Sequence, residues 1–199
     1  DVYKRQELPV WLEVFIGLLL LDLIGAYTPH WLEHKLKPLW MIHLVHHSDH
    51  HVDTTTANRH HPLESFIRFG FTLLGVFLVG TNIGIIMLYQ SISLISTQFS
   101  HANIKLPKKI DLYLSYLFVS PDMHKTHHHY RLPYTDANYG NIFSIWDRAF
   151  GTYLPFDREK LIYGVDVFYD EEANGQIKKL LKQPFQKYSK PTLTPKTEV

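Results

Sequence analysis

The sequence predicts an all-α integral membrane protein: a helical bundle that crosses the bilayer and carries a cytosolic, histidine-rich helical cap holding a di-metal site. Three observations predict it. Fourteen histidines fall between His30 and His129, most of them clustered at helical spacing. Two apolar stretches are long enough to cross a bilayer, residues 8–27 and residues 69–100, and the second has no charged residue. Cysteine is absent, which excludes disulfides, thiolate zinc sites and ordinary iron–sulfur clusters.

In chain order, the first apolar stretch is interrupted only by Glu13 and Asp22. An ionisable side chain at membrane depth is costly, so both are expected to face a protein interior or a functional pathway. Thr28-Pro29 then reads as a helix start, with Thr28 as cap and Pro29 in the first turn, ending or kinking the span near Tyr27. The alternative is one continuous helix kinked at Pro29, which leaves the ligands after it in place. The second stretch is centred on Gly80-Thr-Asn-Ile-Gly84 and fits one long helix or a hairpin of two short ones. A single crossing would strand His101 and the last histidine cluster across the membrane from the first two. A hairpin returns them to one side, with arms of about sixteen residues, slightly short for a full span. Residues 110–120 are apolar but too short to cross, and read as an interfacial helix or an ordinary core helix. After His129 the sequence turns aromatic and turn-rich, and 183–199, with three prolines, reads as a solvated, poorly ordered tail.

The clusters are His30-x-x-x-His34, His43-x-x-His46-His47 and His124-x-x-His127-His128. Residues three and four apart share a helix face, so the first cluster aims two imidazoles one way and each of the others aims three. These nitrogens, with His101, exceed what one metal takes and imply at least two ions. Imidazole suits iron, copper, nickel and zinc alike, so ligand type leaves the metal open. A tract that merely scavenges metal would be polar and of low complexity, whereas these clusters sit among aromatic and aliphatic residues. His50, His51, His60, His61 and His129 stand apart and read as surface or hydrogen-bonded core histidines.

At 199 residues the chain is most simply one domain, 1–199, and Asp1 in place of methionine suggests an incomplete N-terminus. No cleavable signal peptide is recognisable. A net charge of +1 offers no basic surface for nucleic acid. Lys35, Lys37, Arg59, Arg68, Lys105, Lys108, Lys109, Lys125 and Arg131 lie on the histidine side, which the positive-inside rule places in the cytoplasm; Lys4 and Arg5 pull the other way.

Taken together and in order, the motifs resemble the membrane-bound fatty acid hydroxylase and sterol desaturase superfamily. The likeness runs from about Asp22 to Tyr153. Besides the three clusters it rests on Leu39-Trp40, Arg59-His-His-Pro62-Leu-Glu64, Gln98-x-x-His101, Pro121 before His124, and Asn138-Tyr-Gly140 through Trp146-Asp147 to Phe150-Gly-Thr152. The resemblance implies a non-haem di-iron oxygenase that uses dioxygen and external electrons to hydroxylate or desaturate a lipid: a sterol, fatty acyl chain, alkylglycerol ether or carotenoid. It implies His30, His34, His43, His46, His47, His101, His124, His127 and His128 as ligands of two iron ions. One iron would take His34, His43, His46, His124 and His127, the other His30, His47, His101 and His128. Trp31 stands where the family often has Arg, and Asn103 and Lys105 where some hydroxylases carry a further histidine. The second iron is therefore expected to lack one protein ligand or to hold a water there.

Chemistry points the same way, since attack on an unactivated C–H bond needs a redox metal that activates dioxygen. Soluble di-iron enzymes build their pair from Glu and Glu-x-x-His; here imidazoles would replace most carboxylates. With no fused cytochrome or flavin domain in evidence, the electrons would come from a separate electron-transfer protein or small carrier. Ligating histidines need acceptors for the second ring nitrogen. Asp147 is the first candidate, packed by Trp146 and Phe150, followed by Asn138, Asp49, Asp53 and Asp122. The competing reading is a membrane metal-handling or transport protein, which would place its ligands within the spans around a midplane site. Clusters outside the uncharged runs favour the enzyme.

Overall fold

The computed structural model describes residues 8–165, 167 and 171–187. Among them the regular structure is helical, with no strand and only isolated bridges joining Phe118 to Phe143 and His129 to Tyr163. Helix α1 (Val10–Asp22) passes through a π-helical turn, Leu23–Tyr27, into α2 (Thr28–Lys35), so 26 residues run as one helical rod. Pro29 lacks the N–H that would bond one turn back, and the wider turn before it accommodates the missing bond. Thr28 therefore caps no new helix: its backbone is helical (φ −61°, ψ −51°) and its hydroxyl donates to the Leu23 carbonyl at 2.7 Å. Of the two arrangements open at Pro29, the continuous helix is the one that forms. Leu36, extended at φ −104° and ψ 112°, then separates α2 from α3 (Lys37–His47).

The uncharged stretch folds as a hairpin of α4 (Pro62–Val79, 18 residues) and α5 (Ile83–His101, 19 residues). Gly80 ends α4 in the left-handed region (φ 61°), where a side chain would be strained. Asn82 caps α5, its side-chain oxygen accepting from the Ile85 N–H at 3.1 Å. At 1.5 Å per residue each arm is about 27–28 Å long, close to the roughly 30 Å hydrocarbon core. The arms exceed the expected length because α4 starts ahead of Glu64 and Arg68, two charged residues that turn inward, and because α5 runs from Ile83 on to His101. Three helical stretches are thus long and apolar enough to cross a membrane: Val10–Lys35, Pro62–Val79 and Ile83–His101.

Their outer surface is what lipid solvates. Phe66, Phe77, Ile83, Met87 and Ile95 are at least 66% exposed, a liability in water and ordinary against acyl chains. Between the spans, Leu21, Ile85, Tyr89 and Ile142 form the core. The backbones approach closely at Gly17, where a Cβ would come within 2.9 Å of the Ile85 side chain. Asp22 is fully buried and turned inward: its carboxylate accepts from the Ile142 and Phe143 N–H groups at 3.2 and 3.1 Å and from the Trp146 indole at 3.0 Å. It thereby fastens the later loops to the first span.

Beyond the hairpin come α6 (Lys108–Leu114), α7 (Pro121–His127), α8 (Ile145–Ala149), α9 (Glu171–Asn174) and α10 (Ile177–Lys182). Helix α6 combines both sequence readings: Asp111 is buried, accepting from the Ser120 hydroxyl at 2.7 Å, while Ile110, Leu112 and Tyr113 are exposed. The expected tail needs a correction at its start. Gln183–Phe185 form a 3-10 turn against α3 with Gln183 buried, and 188–199 lie outside the described residues.

Candidate metal centre

The histidine ends of the spans meet the cap, and the ligand candidates arrive there from four helices. Helix α2 supplies His30 and His34, and α3 supplies His43, His46 and His47. His101 is the last residue of α5. Helix α7 supplies His124 and His127, with His128 at its C-cap. All nine are buried. They fall into two groups whose candidate ligand atoms lie within 4.8 Å of one another: His30, His34, His43, His47 and His127, and His46, His101, His124 and His128.

This division differs from the split that the resemblance implied: His30 and His47 change places with His46 and His124. The physical reason is helical. The i, i+4 pairs His30/His34, His43/His47 and His124/His128 each stay on one face. The middle histidine of each His-x-x-His-His sequence points elsewhere, so His46 joins the group anchored on α7 and His127 joins the group anchored on α2 and α3.

The nitrogens crowd as ligands around a cation do. His101 Nε2 lies 3.3 Å from His46 Nε2, 3.1 Å from His124 Nε2 and 3.2 Å from His128 Nε2. Because Nδ1 of His46 and of His101 each donates to a carbonyl, their Nε2 atoms meet lone pair to lone pair. Metal–imidazole bonds of about 2.0–2.1 Å would place neighbouring ligand nitrogens about 2.9–3.4 Å apart. In the larger group His30 Nε2 and His127 Nε2 are 2.9 Å apart, and the Nε2 atoms of His34, His43 and His47 are buried without a hydrogen-bond partner among the described residues. Buried polar atoms seldom go unpaired, so these donors fit a metal. Burial holds the imidazoles outside the spans uncharged: it pushes His43 down to about 3 and His46, His47, His124, His127 and His128 well below the usual histidine range. Neutral imidazole is the form that binds metal.

The second ring nitrogens are largely anchored. Nδ1 of His30, His46, His101 and His127 donates to the carbonyls of Tyr139 (2.8 Å), Thr56 (3.1 Å), Thr97 (2.8 Å) and Ala137 (2.7 Å). Nδ1 of His43 donates to Glu64 Oε1 at 2.8 Å, and Nδ1 of His34 lies 3.4 Å from Asp136. Each bond fixes a tautomer that leaves Nε2 free for a ligand. The sequence reading expected Asp147 and Asn138 in this role, and neither touches a histidine. Asp147 accepts from the Tyr139 and Gly140 N–H groups (2.7 and 2.8 Å) and from the Thr152 hydroxyl (2.7 Å), holding the turn whose Tyr139 carbonyl meets His30. Burial pushes Asp147 up to about 6. Asn138, at φ 58°, donates to the Met123 and Leu154 carbonyls at 3.0 and 2.7 Å and so ties α7 to the loop after α8. Asp49, Asp53 and Asp122 serve Thr56, Thr55 and Arg158.

The acceptors missed were mostly carbonyls, which carry no sequence signal, and Glu64, which does. It stands in Arg59-His-His-Pro62-Leu-Glu64, and its Oε1 also accepts from His60 Nδ1 (2.8 Å) and Arg68 Nε (3.0 Å), while Arg68 donates to Glu33 at 2.6 Å. His60 in turn stacks on His46, ring centres 4.5 Å apart. His50, His51, His61 and His129 join neither group.

The profile of the fatty acid hydroxylase family matches residues 14–152, a span that contains all nine histidines. The chain belongs to that family. Among curated proteins it is similar to an alkylglycerol monooxygenase of Danio rerio, 33% identical over 83% of this chain and 36% of the relative. It is also similar to an ornithine lipid hydroxylase of Rhizobium tropici, 25% identical over 74% of this chain and 44% of the relative. A methylsterol monooxygenase of Arabidopsis thaliana is 28% identical over 78% of this chain and 59% of the relative. The chain therefore spans less than half the length of the first two. No solved structure matches it significantly.

Proposed function

We propose that this fatty acid hydroxylase family chain is the metal-bearing part of a membrane-bound, non-haem di-iron oxygenase that hydroxylates or desaturates a lipid. One iron would be held by His30, His34, His43, His47 and His127, the other by His46, His101, His124 and His128. The single observation that carries this reading is the pair of adjacent, buried histidine groups at one end of three apolar helices. Bound iron would supply the activation of dioxygen and the removal of hydrogen from a C–H bond, which side-chain acids and bases cannot do. The chain's own residues hold the centre. Glu64 and four carbonyls set the tautomers and ring orientations of the histidines they bond, Asp136 lies beside His34, and burial keeps the imidazoles neutral. The relatives' names, an alkylglycerol monooxygenase, an ornithine lipid hydroxylase and a methylsterol monooxygenase, support a lipid substrate.

In this reading the histidine end faces the cytoplasm, where a separate electron-transfer protein delivers reducing equivalents. The test is metal analysis of detergent-purified protein, wild type beside His46→Ala and His128→Ala, with a spectroscopic assay for coupled iron. About two irons per chain in the wild type, fewer in both variants, and oxidised lipid after addition of a reductant and dioxygen are the expected results. Folded protein without stoichiometric metal after iron reconstitution would overturn the proposal. Tightly held metal with no lipid product from broad mixtures would point instead to metal handling.

A further inference from the structure

A cavity of about 290 Å³ lies between the spans and ends at the four-histidine group, where His46, His101 and His124 form part of its wall. Its long wall carries a polar stripe, although it belongs to a membrane-crossing helix. On α5, Gln90, Ser93, Thr97 and His101 follow at i, i+3, i+7 and i+11, one face of a helix, and all four line the cavity. The stripe runs about 16 Å, roughly half the hydrocarbon thickness. Across from it Arg68 and Thr72 of α4 line the cavity one helical turn apart, and Asn141 closes one side.

Most of these groups are already committed. The Asn141 amide donates to the Ser93 hydroxyl at 2.7 Å, and the Thr97 hydroxyl sits 2.8 Å from the Asn141 side-chain oxygen. Arg68 spends its charge on Glu33 and Glu64. Gln90 differs: it is exposed at the rim, at mid-span, and no hydrogen bond joins its side chain to another described residue. A polar amide facing hydrocarbon is expensive unless something bonds to it.

We propose that this cleft is a subsite for the neutral, oxygen-bearing end of a lipid, with Gln90 as a specificity-determining hydrogen-bonding residue at its rim. The inference rests on the lipid oxygenase reading and narrows its substrate class. A cavity of about 290 Å³ lies at the small end of ligand-binding sites, which suits a small hydroxylated or ether-linked head rather than a whole lipid. The alkyl chain stays outside, against the apolar faces of α4 and α5. An anionic head is disfavoured because the one arginine in the wall is neutralised by two carboxylates.

The test uses two photoreactive alkylglycerol ethers, one with a diazirine on the glycerol and one with it at the chain terminus, applied to purified protein and mapped by mass spectrometry. The glycerol-labelled probe is expected on α5 between Gln90 and Thr97 and on the Asn141 segment. The chain-end probe is expected on the outward residues Phe77, Met87 and Ile95. Gln90→Leu, at an exposed position, should cut cavity labelling at least fivefold and leave chain-end labelling unchanged, and a fatty acid carboxylate should compete poorly. Cavity labelling by the chain-end probe would overturn the subsite while leaving a lipid oxygenase intact. Absence of cavity labelling by either probe on metal-loaded protein that oxidises lipid would likewise overturn it, and mark the cleft as a water path. Loss of lipid oxidation with cavity labelling preserved would instead strike the oxygenase reading.

Discussion

The two histidine groups share a buried floor yet face different neighbours. The four-histidine group meets the cavity between the spans through three of its members, whereas the five-histidine group contributes only His30 to that wall. Its His34 instead borders a smaller cavity of about 180 Å³, walled by Trp40, Tyr130, Leu132 and Asp136 away from the hairpin. Carboxylates are divided in the same way: Glu64 bonds His43 and Asp136 lies beside His34, both in the larger group, while the anchored members of the smaller group, His46 and His101, bond carbonyls. A metal in the larger group would thus have more protein ligands and more nearby negative charge. A metal in the smaller group would have fewer ligands and the direct approach from the membrane. Position on the fold, rather than the type of ligand, separates the two groups.

The largest expected effect comes from removing one ligand on each side. His43→Ala should empty the five-histidine site and His128→Ala the four-histidine site, each leaving about one metal per chain by elemental analysis. Loss of both metals in either variant would show that the groups act as one cluster. A smaller effect follows from Glu64→Gln, which keeps the shape but weakens the bond orienting His43. Metal affinity at the five-histidine site should fall about 10–100-fold in chelator competition, with the four-histidine site unchanged. An equal loss at both sites would mean that His60, bonded to Glu64 and stacked on His46, carries the effect across.

How much of this was legible follows from where the information sits. The histidine groups and the hairpin were readable because both are helical patterns: i, i+4 pairs, and a Gly80-Thr-Asn break in an uncharged run. The division into groups was readable in principle, since i, i+4 pairs stay together, but the resemblance separated His30 from His34 and the structure unites them. The anchoring of His30, His46, His101 and His127 was not readable, because a backbone carbonyl accepts regardless of its side chain. Asp147 was expected as an acceptor for a ligating histidine, and its partners in the structure are N–H groups of the turn and the Thr152 hydroxyl.

Acid should act on both groups alike. His43, His47 and His127 in one group and His46, His124 and His128 in the other are all held below their usual range by burial. The unfolded chain takes up these protons below pH about 6.5 and the metal-free folded chain does not, so stability is full above that value and falls as pH drops. For His43 the window runs down to about 3. Each such histidine contributes at most about 1.4 kcal/mol per pH unit within its window. Metal-free protein should therefore melt at lower temperature at pH 5.5 than at pH 7.5. A melting temperature that rises on acidification would contradict neutral, buried imidazoles.

The smallest expected effect lies farthest from both sites. Gly80→Ala places a side chain at φ 61°, where an L-residue costs about 1–2 kcal/mol, at the tip of the hairpin. The cost should appear as a modest fall in melting temperature, with both metals retained, because α5 reaches His101 through nineteen residues of regular helix. The comparison between the groups gives this variant its use. Among the nine histidines of the two groups only His101 comes from the hairpin, and it belongs to the four-histidine group. Strain transmitted along α5 would therefore release the metal of that group and spare the other. Selective loss would show that the membrane-facing site is held by the hairpin, whereas retention of both would place its hold on α3 and α7.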